Sequence, residues 1–142
     1  MNCSEKGKKT LSANKYVLDS FAILAFLQKE SGAGRIMELL KDAADSKIEL
    51  HISAINLAEV QYLAIRRSKD PTQMLAALEA LPLEVASADA YIPAVVELKA
   101  KHSLSLADCF AAALAQDLGC PLLTNDPEFK ELEGIVTIEW LA

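Results

Sequence analysis

Leu104-Ser105-Leu106-Ala107-Asp108-Cys109-Phe110, continuing through Ala111 and Leu114 to Leu122-Leu123-Thr124-Asn125-Asp126-Pro127-Glu128-Phe129, decides how this chain is built. It reads as a helix over 105–118, a turn containing Gly119, a buried strand over 121–124, and an acidic loop that opens a short helical turn at Pro127. Asp108 stands at the start of the helix and Asp126 where the strand ends.

The alternation extends upstream and downstream. Tyr16-Val17-Leu18 is a β-prone run that ends at Asp19-Ser20. Phe21–Leu27 is apolar on every side of a helix, which predicts burial. Ser31-Gly32-Ala33-Gly34 breaks it, and Ile36, Met37, Leu39 and Leu40 mark a second helix. Ile48-Glu49-Leu50-His51-Ile52 alternates as a strand does. Ser53 ends it and can cap the next helix, on which Ile55, Ala58, Tyr62 and Ile65 share one face. Asp70-Pro71 starts a fourth helix through Met74, Leu75, Leu78 and Leu81, stopped near Pro82. Leu83–Ala86 is a third strand. Ser87 or Asp89 caps a helix running to about Lys101, in which Pro93 demands either a later start or a kink. Ile135–Glu139 is the last strand. Short apolar strands alternating with helices predict an α/β sandwich, with a parallel sheet of four to five strands between two helical layers.

Bulk composition narrows the class. The 142 residues fit one domain, expected over 16–142, and 52% hydrophobic content allows a proper core. Residues 1–15 are polar, carry Lys6, Lys8, Lys9 and Lys15, and show no periodicity, so a flexible tail is expected there. No internal repeat or second-domain linker is found. No apolar run is long enough to cross a bilayer, and no secretion signal opens the chain. Cys3, Cys109 and Cys120 lack metal-ligand spacing and form no even disulfide set, which fits a reducing cytoplasm. Net charge is −6, from 14 basic and 20 acidic residues. That opposes a broad nucleic-acid footprint unless clustered acids hold divalent cations and reverse the local sign.

Four acids have ordinary roles when taken singly. Asp19 can cap the helix it opens, and Asp126-Pro127 is a cap followed by a first-turn proline. Ser105-Leu106-Ala107-Asp108 has capping-box spacing, and Glu59 is a good helix former that can simply face water. Their joint placement says more. Asp19 and Asp126 end strands, while Glu59 and Asp108 lie within two turns of helix starts at that same end. In open parallel sheets, ligands bind outside the carboxyl ends of the strands. Carboxylates gathered there repel unless neutralised, and Mg²⁺ or Mn²⁺ with oxygen ligands does that. Such a metal activates water and stabilises charge on a cleaving phosphodiester.

Other chemistries lack support. No Gly-rich phosphate loop follows the first strand. His51 and His102 are isolated, and Cys109 reads as a small buried residue. Asp19-Ser20-Phe21 lacks the second Asp, two places on, of a phosphatase that uses a nucleophilic aspartate. Arg66, seven residues after Glu59, lies on nearly the same side of its helix. It can hold a flanking phosphate, or belong with Arg67 and Lys69 to a solvated helix end.

The chain resembles the PIN-domain ribonucleases, especially the VapC-type toxins of toxin–antitoxin pairs. Four segments carry the resemblance: Tyr16-Val17-Leu18-Asp19-Ser20, Ser53-Ala54-Ile55-Asn56-Leu57-Ala58-Glu59-Val60, Leu104-Ser105-Leu106-Ala107-Asp108, and Leu122 to Phe129. The resemblance implies a Mg²⁺- or Mn²⁺-dependent endoribonuclease, usually dimeric, with a cognate antitoxin whose tail covers the site. It implies a metal cluster of Asp19, Glu59, Asp108 and Asp126, with Ser20 and Thr124 as supporting hydroxyls and Asn125 in a commonly polar slot. Phe21 departs from the pattern, since many relatives have a small polar residue there. The alternatives are a catalytically silent PIN-like domain that binds RNA or protein, and an RNA-processing nuclease outside toxin–antitoxin systems.

Overall fold

Val17 and Leu18 are neighbours on one strand, both fully buried, and each lies in a different core. A strand covered by helices on both faces requires this. The computed structural model describes residues 14–141. Five strands form one sheet: β1 (Lys15–Leu18), β2 (Glu49–Ser53), β3 (Leu83–Ala86), β4 (Leu122–Thr124) and β5 (Ile138–Trp140). All pairs are parallel and the order is β3-β2-β1-β4-β5. Val17 pairs with His51 on one side and Leu122 on the other.

Six α-helices connect and cover the strands: α1 (Ser20–Leu27), α2 (Ala33–Ala44), α3 (Ala54–Arg67), α4 (Pro71–Glu79), α5 (Ile92–Lys101) and α6 (Leu106–Leu118). Short 3₁₀ turns occupy Asp89–Tyr91 and Pro127–Leu132. On one face Leu18, Leu50, Ile52 and Leu123 pack with Ile23, Ile36, Leu39, Val60 and Leu78 from α1–α4. On the other, Val17 and Leu122 meet Val95 and Leu98 of α5 and the Cys109–Ala115 run of α6, closed by Phe129 and Leu132. The small side chains of Ala111, Ala112 and Ala113 let α6 lie close to the sheet, and all three are buried. The predicted three-layer sandwich is the observed one.

The expected punctuation works as local chemistry. Ser53 accepts from the Ile55 amide, Asp70 from Gln73 and Ser105 from Asp108, each opening a helix. Gly119 closes α6 at φ 62°, a left-handed conformation that glycine adopts freely. Pro93 produces no break: α5 starts at Ile92, so the proline sits in the first turn, where its missing N–H goes unused.

Four expectations need correction. Of the apolar face Ile55, Ala58, Tyr62, Ile65 only Ile55 packs against a core; Tyr62 and Ile65 are exposed, and the buried stripe is Asn56, Val60, Ala64. Helix α1 is not buried all round, because Phe21 faces solvent. The last strand begins at Ile138, since Ile135 and Val136 still belong to the turn after the 3₁₀ stretch, their amides both donating to the Leu132 carbonyl. Lys15 belongs to β1 and not to the expected tail, whose residues 1–13 lie outside the described residues.

The strand order leaves β1 in two directions, to β2 and β3 on one side and to β4 and β5 on the other. In open parallel sheets the ligand-binding position lies where the order reverses, here outside the carboxyl ends of β1 and β4.

Candidate active site

Asp19 follows directly on β1 and is 1% exposed. One carboxylate oxygen accepts from the Ala22 amide at 2.9 Å, capping α1, and the other accepts from the Thr124 hydroxyl. Thr124 ends β4, the neighbouring strand, and its Oγ1 also accepts from the Asp126 amide at 3.0 Å. One hydroxyl thus joins the first acid to the loop that carries the fourth. Asp126 in turn accepts from the Glu128 amide at 3.0 Å and starts the 3₁₀ turn.

Glu59 and Asp108 arrive from the two helical layers. Ser20, in the first turn of α1, donates to Glu59 Oε1. Asn56, one turn before Glu59 and fully buried, donates from Nδ2 to Ser20 Oγ at 3.2 Å and to the Ala107 carbonyl at 3.1 Å. It therefore links the starts of α1, α3 and α6. Asp108 is buried beside it in that first turn.

The four acids share one electrostatic environment. Burial pushes the Asp19 carboxyl up to about 7, against the pull of its Thr124 and Ala22 hydrogen bonds, with the charges of Asp126 and Glu59 adding to the rise. Burial also pushes Asp108 up to about 8, helped by the charges of Asp126 and Asp19. No lysine or arginine among the described residues forms an ion pair with any of the four. Oxygen atoms of Asp108, Asp126 and Glu128 lie within 4.8 Å of one another. An all-oxygen, carboxylate-rich set without a neutralising side chain fits a hard divalent cation.

The caps predicted at Asp19 and Asp126 and the clustering of the acids are both present, since each of these carboxylates has oxygens enough for both roles. Ser20 and Thr124 orient acids. Asn125 is exposed with no hydrogen bond to the described residues, and Arg66 is exposed and forms no ion pair among them. His51 bonds Glu49 and His102 bonds Glu131, both at 2.9 Å, and neither enters the cluster. Sequence reasoning gave no role to Asn56 or Glu128. Spacing held a signal for each: Asn56 lies one turn before Glu59, and Glu128 two places after Asp126.

Comparison with known proteins agrees with this fold. The chain is similar to a chain in the crystal structure of VapBC2 from Rickettsia felis bound to a DNA fragment from their promoter. The TM-score is 0.67 at 24% identity, over 90% of this chain and 99% of that one. It is similar to a chain of DNA-bound VapBC from Salmonella typhimurium, with TM-score 0.66 at 27% identity over 89% and 98%. For VapBC-1 from nontypeable Haemophilus influenzae the TM-score is 0.63 at 23% identity, over 89% and 96%. No curated protein matches in sequence. The family model for the PIN domain matches residues 16–135, a span that contains all four acids and both supporting hydroxyls, and the chain belongs to the PIN-domain family.

Proposed function

We propose that this protein is a divalent-metal-dependent endoribonuclease and the toxin of a toxin–antitoxin pair. One observation carries the nuclease reading. Four carboxylates from four separate segments meet outside β1 and β4, two of them buried, with no side-chain cation of the described residues paired to them. Uncompensated buried carboxylates are costly, and such clusters persist where function needs them. The toxin assignment rests on family membership and on similarity to chains of VapBC structures.

Asp19, Glu59, Asp108 and Asp126 would hold Mg²⁺ or Mn²⁺, with Glu128 at the rim. A bound cation of this kind activates water for attack on a phosphodiester and stabilises the charge that develops. The protein's own contribution is orientation. Thr124 fixes the Asp19 carboxylate, Ser20 fixes that of Glu59, and Asn56 holds the helix starts that carry Ser20 and Asp108. No side chain is required as nucleophile. The same reading carries a homodimer, a cognate antitoxin and a cytoplasmic place of action. Among the described residues no helix is long and apolar enough to cross a membrane.

The test is cleavage of a mixed RNA pool by purified, antitoxin-free protein with Mg²⁺, with Mn²⁺ and with EDTA, beside Asp108→Asn. Cleavage is expected with either metal, and loss of at least about a hundredfold in EDTA and in the variant. Cleavage that survives both EDTA and Asp108→Asn would overturn the assignment.

A further inference from the structure

Three of the four acids have an exposed large apolar side chain within three residues. Phe21 is two places after Asp19 and 51% exposed, Tyr62 is three after Glu59 and 48% exposed, and Leu106 is two before Asp108 and 55% exposed. Phe21 and Leu106 lie in the first turns of α1 and α6, and Tyr62 lies just under one turn beyond Glu59, in the middle of α3. The Ser20 hydroxyl on Glu59 joins the start of α1 to α3, so Phe21, next to Ser20, and Tyr62, three residues after Glu59, flank that contact in sequence on neighbouring helices. Arg66 stands one turn beyond Tyr62 on the same side of α3. Neither ring is involved in packing that explains it: the inward stripe of α3 is Asn56, Val60, Ala64, and that of α1 is Ala22, Ile23, Leu24, Ala25.

We infer that Phe21 and Tyr62 position the substrate by stacking on bases that flank the phosphate held at the acids. This inference rests on the nuclease reading and specifies how that site grips single-stranded RNA. The charge distribution is the reason for choosing bases over other occupants. A protein of net charge −6, with acids clustered at the site and no lysine or arginine of the described residues paired to them, has little long-range attraction to offer a polyanion. Affinity then has to come from contacts that do not depend on charge, and base–aromatic stacking is the strongest of these for single strands. Stacking also needs splayed bases, which restricts cleavage to unpaired RNA. A partner polypeptide laid across the same rings is the competing occupant, and the experiment separates the two.

The probe is a short single-stranded RNA carrying 2-aminopurine, bound in Ca²⁺ and, separately, cleaved in Mg²⁺. The proteins are wild type, Tyr62→Phe, Tyr62→Leu, Phe21→Tyr and Phe21→Leu, each shown to melt like wild type. Wild type and the two aromatic replacements are expected to quench the probe. The leucine variants are expected to lose quenching and to raise KM about tenfold, with kcat nearly unchanged. Leucine variants that quench and cleave like wild type would overturn the inference and leave the nuclease intact. So would normal RNA kinetics combined with loss of self-association, which would assign the rings to a protein interface. A wild type that cleaves no RNA in any metal would overturn the nuclease reading, and this inference with it.

Discussion

The Thr124 hydroxyl has one proton and uses it on Asp19 Oδ2, while its oxygen accepts from the Asp126 amide. Thr124 is fully buried, so neither partner finds water as a substitute. Its bond to Asp19 pulls that carboxyl back toward ionisation against the effect of burial. Thr124→Val keeps the shape and removes both bonds. The Asp19 carboxyl should then rise further, holding its proton at neutral pH and competing with metal. The expected result is about 10- to 100-fold weaker metal affinity, as is typical when a group orienting a ligand is lost. A stability loss of about 1–3 kcal/mol should accompany it, from buried groups left unpaired. Titrating the cleavage rate with Mg²⁺ and measuring urea unfolding checks both, and Thr124→Ser should restore most of each. A valine variant with the wild-type Mg²⁺ midpoint would show that the hydroxyl does not orient Asp19.

At the scale of elements, the site depends on how three helix starts are tied together, and Asn56 makes the tie. Its Nδ2 reaches Ser20 on α1 and the Ala107 carbonyl on α6. Its Oδ1 is the one buried side-chain polar atom among the described residues without a partner. Asn56→Leu removes that orphan atom but leaves two acceptors unpaired, so a net loss of about 1–2 kcal/mol is expected. The larger effect should fall on kcat/KM, since Ser20 and Asp108 lose their common reference. Urea unfolding beside cleavage kinetics separates the two, and a variant that is less stable yet equally active would reduce Asn56 to packing. This residue also shows what the sequence conveys about elements. Strands β1–β4 and the caps of α3, α4 and α6 were legible because caps, prolines and apolar runs act locally; Ser87 and Asp89 cap no helix, and α5 starts later, at Ile92 after Tyr91. The inward face of α3 was not, because its buried stripe begins with a polar residue whose hydrogen-bond partners lie 36 and 51 positions away. The more apolar face, with Tyr62 and Ile65, is turned outward. Asp19 and Asp126 could be placed because strand ends in a parallel sheet all lead to one edge. Glu128 was harder to place: its spacing two places after Asp126 is a weak signal, and its approach to Asp108 is a tertiary contact.

Across the whole molecule, the strand reversal at β1 and β4 gathers acids that the chain keeps far apart in sequence, and the metal-free fold bears the electrostatic consequence. Asp19 and Asp108 titrate near 3.8 when free and near 7 and 8 when folded. A raised folded value means that the folded state binds the proton more tightly. The stabilisation from that proton is fully present below about pH 4 and is lost as pH rises through 7 to 8. In EDTA, therefore, the wild type should lose thermal stability from pH 5 to pH 8 relative to Asp108→Asn. The variant removes one of the two raised groups and one member of the repelling set, so it should melt higher than wild type at pH 8. Below about pH 3 the two should converge, because Asp108 is then mostly neutral whether folded or not. Added Mg²⁺ should reverse the order at pH 8, since a ligand that binds only the folded state stabilises it and the variant has lost part of that site. Melting curves at four pH values, with EDTA and with Mg²⁺, read this directly. A variant that melts below wild type at pH 8 in EDTA would mean that another group already neutralises the cluster, and the case for a metal there would lose its physical basis.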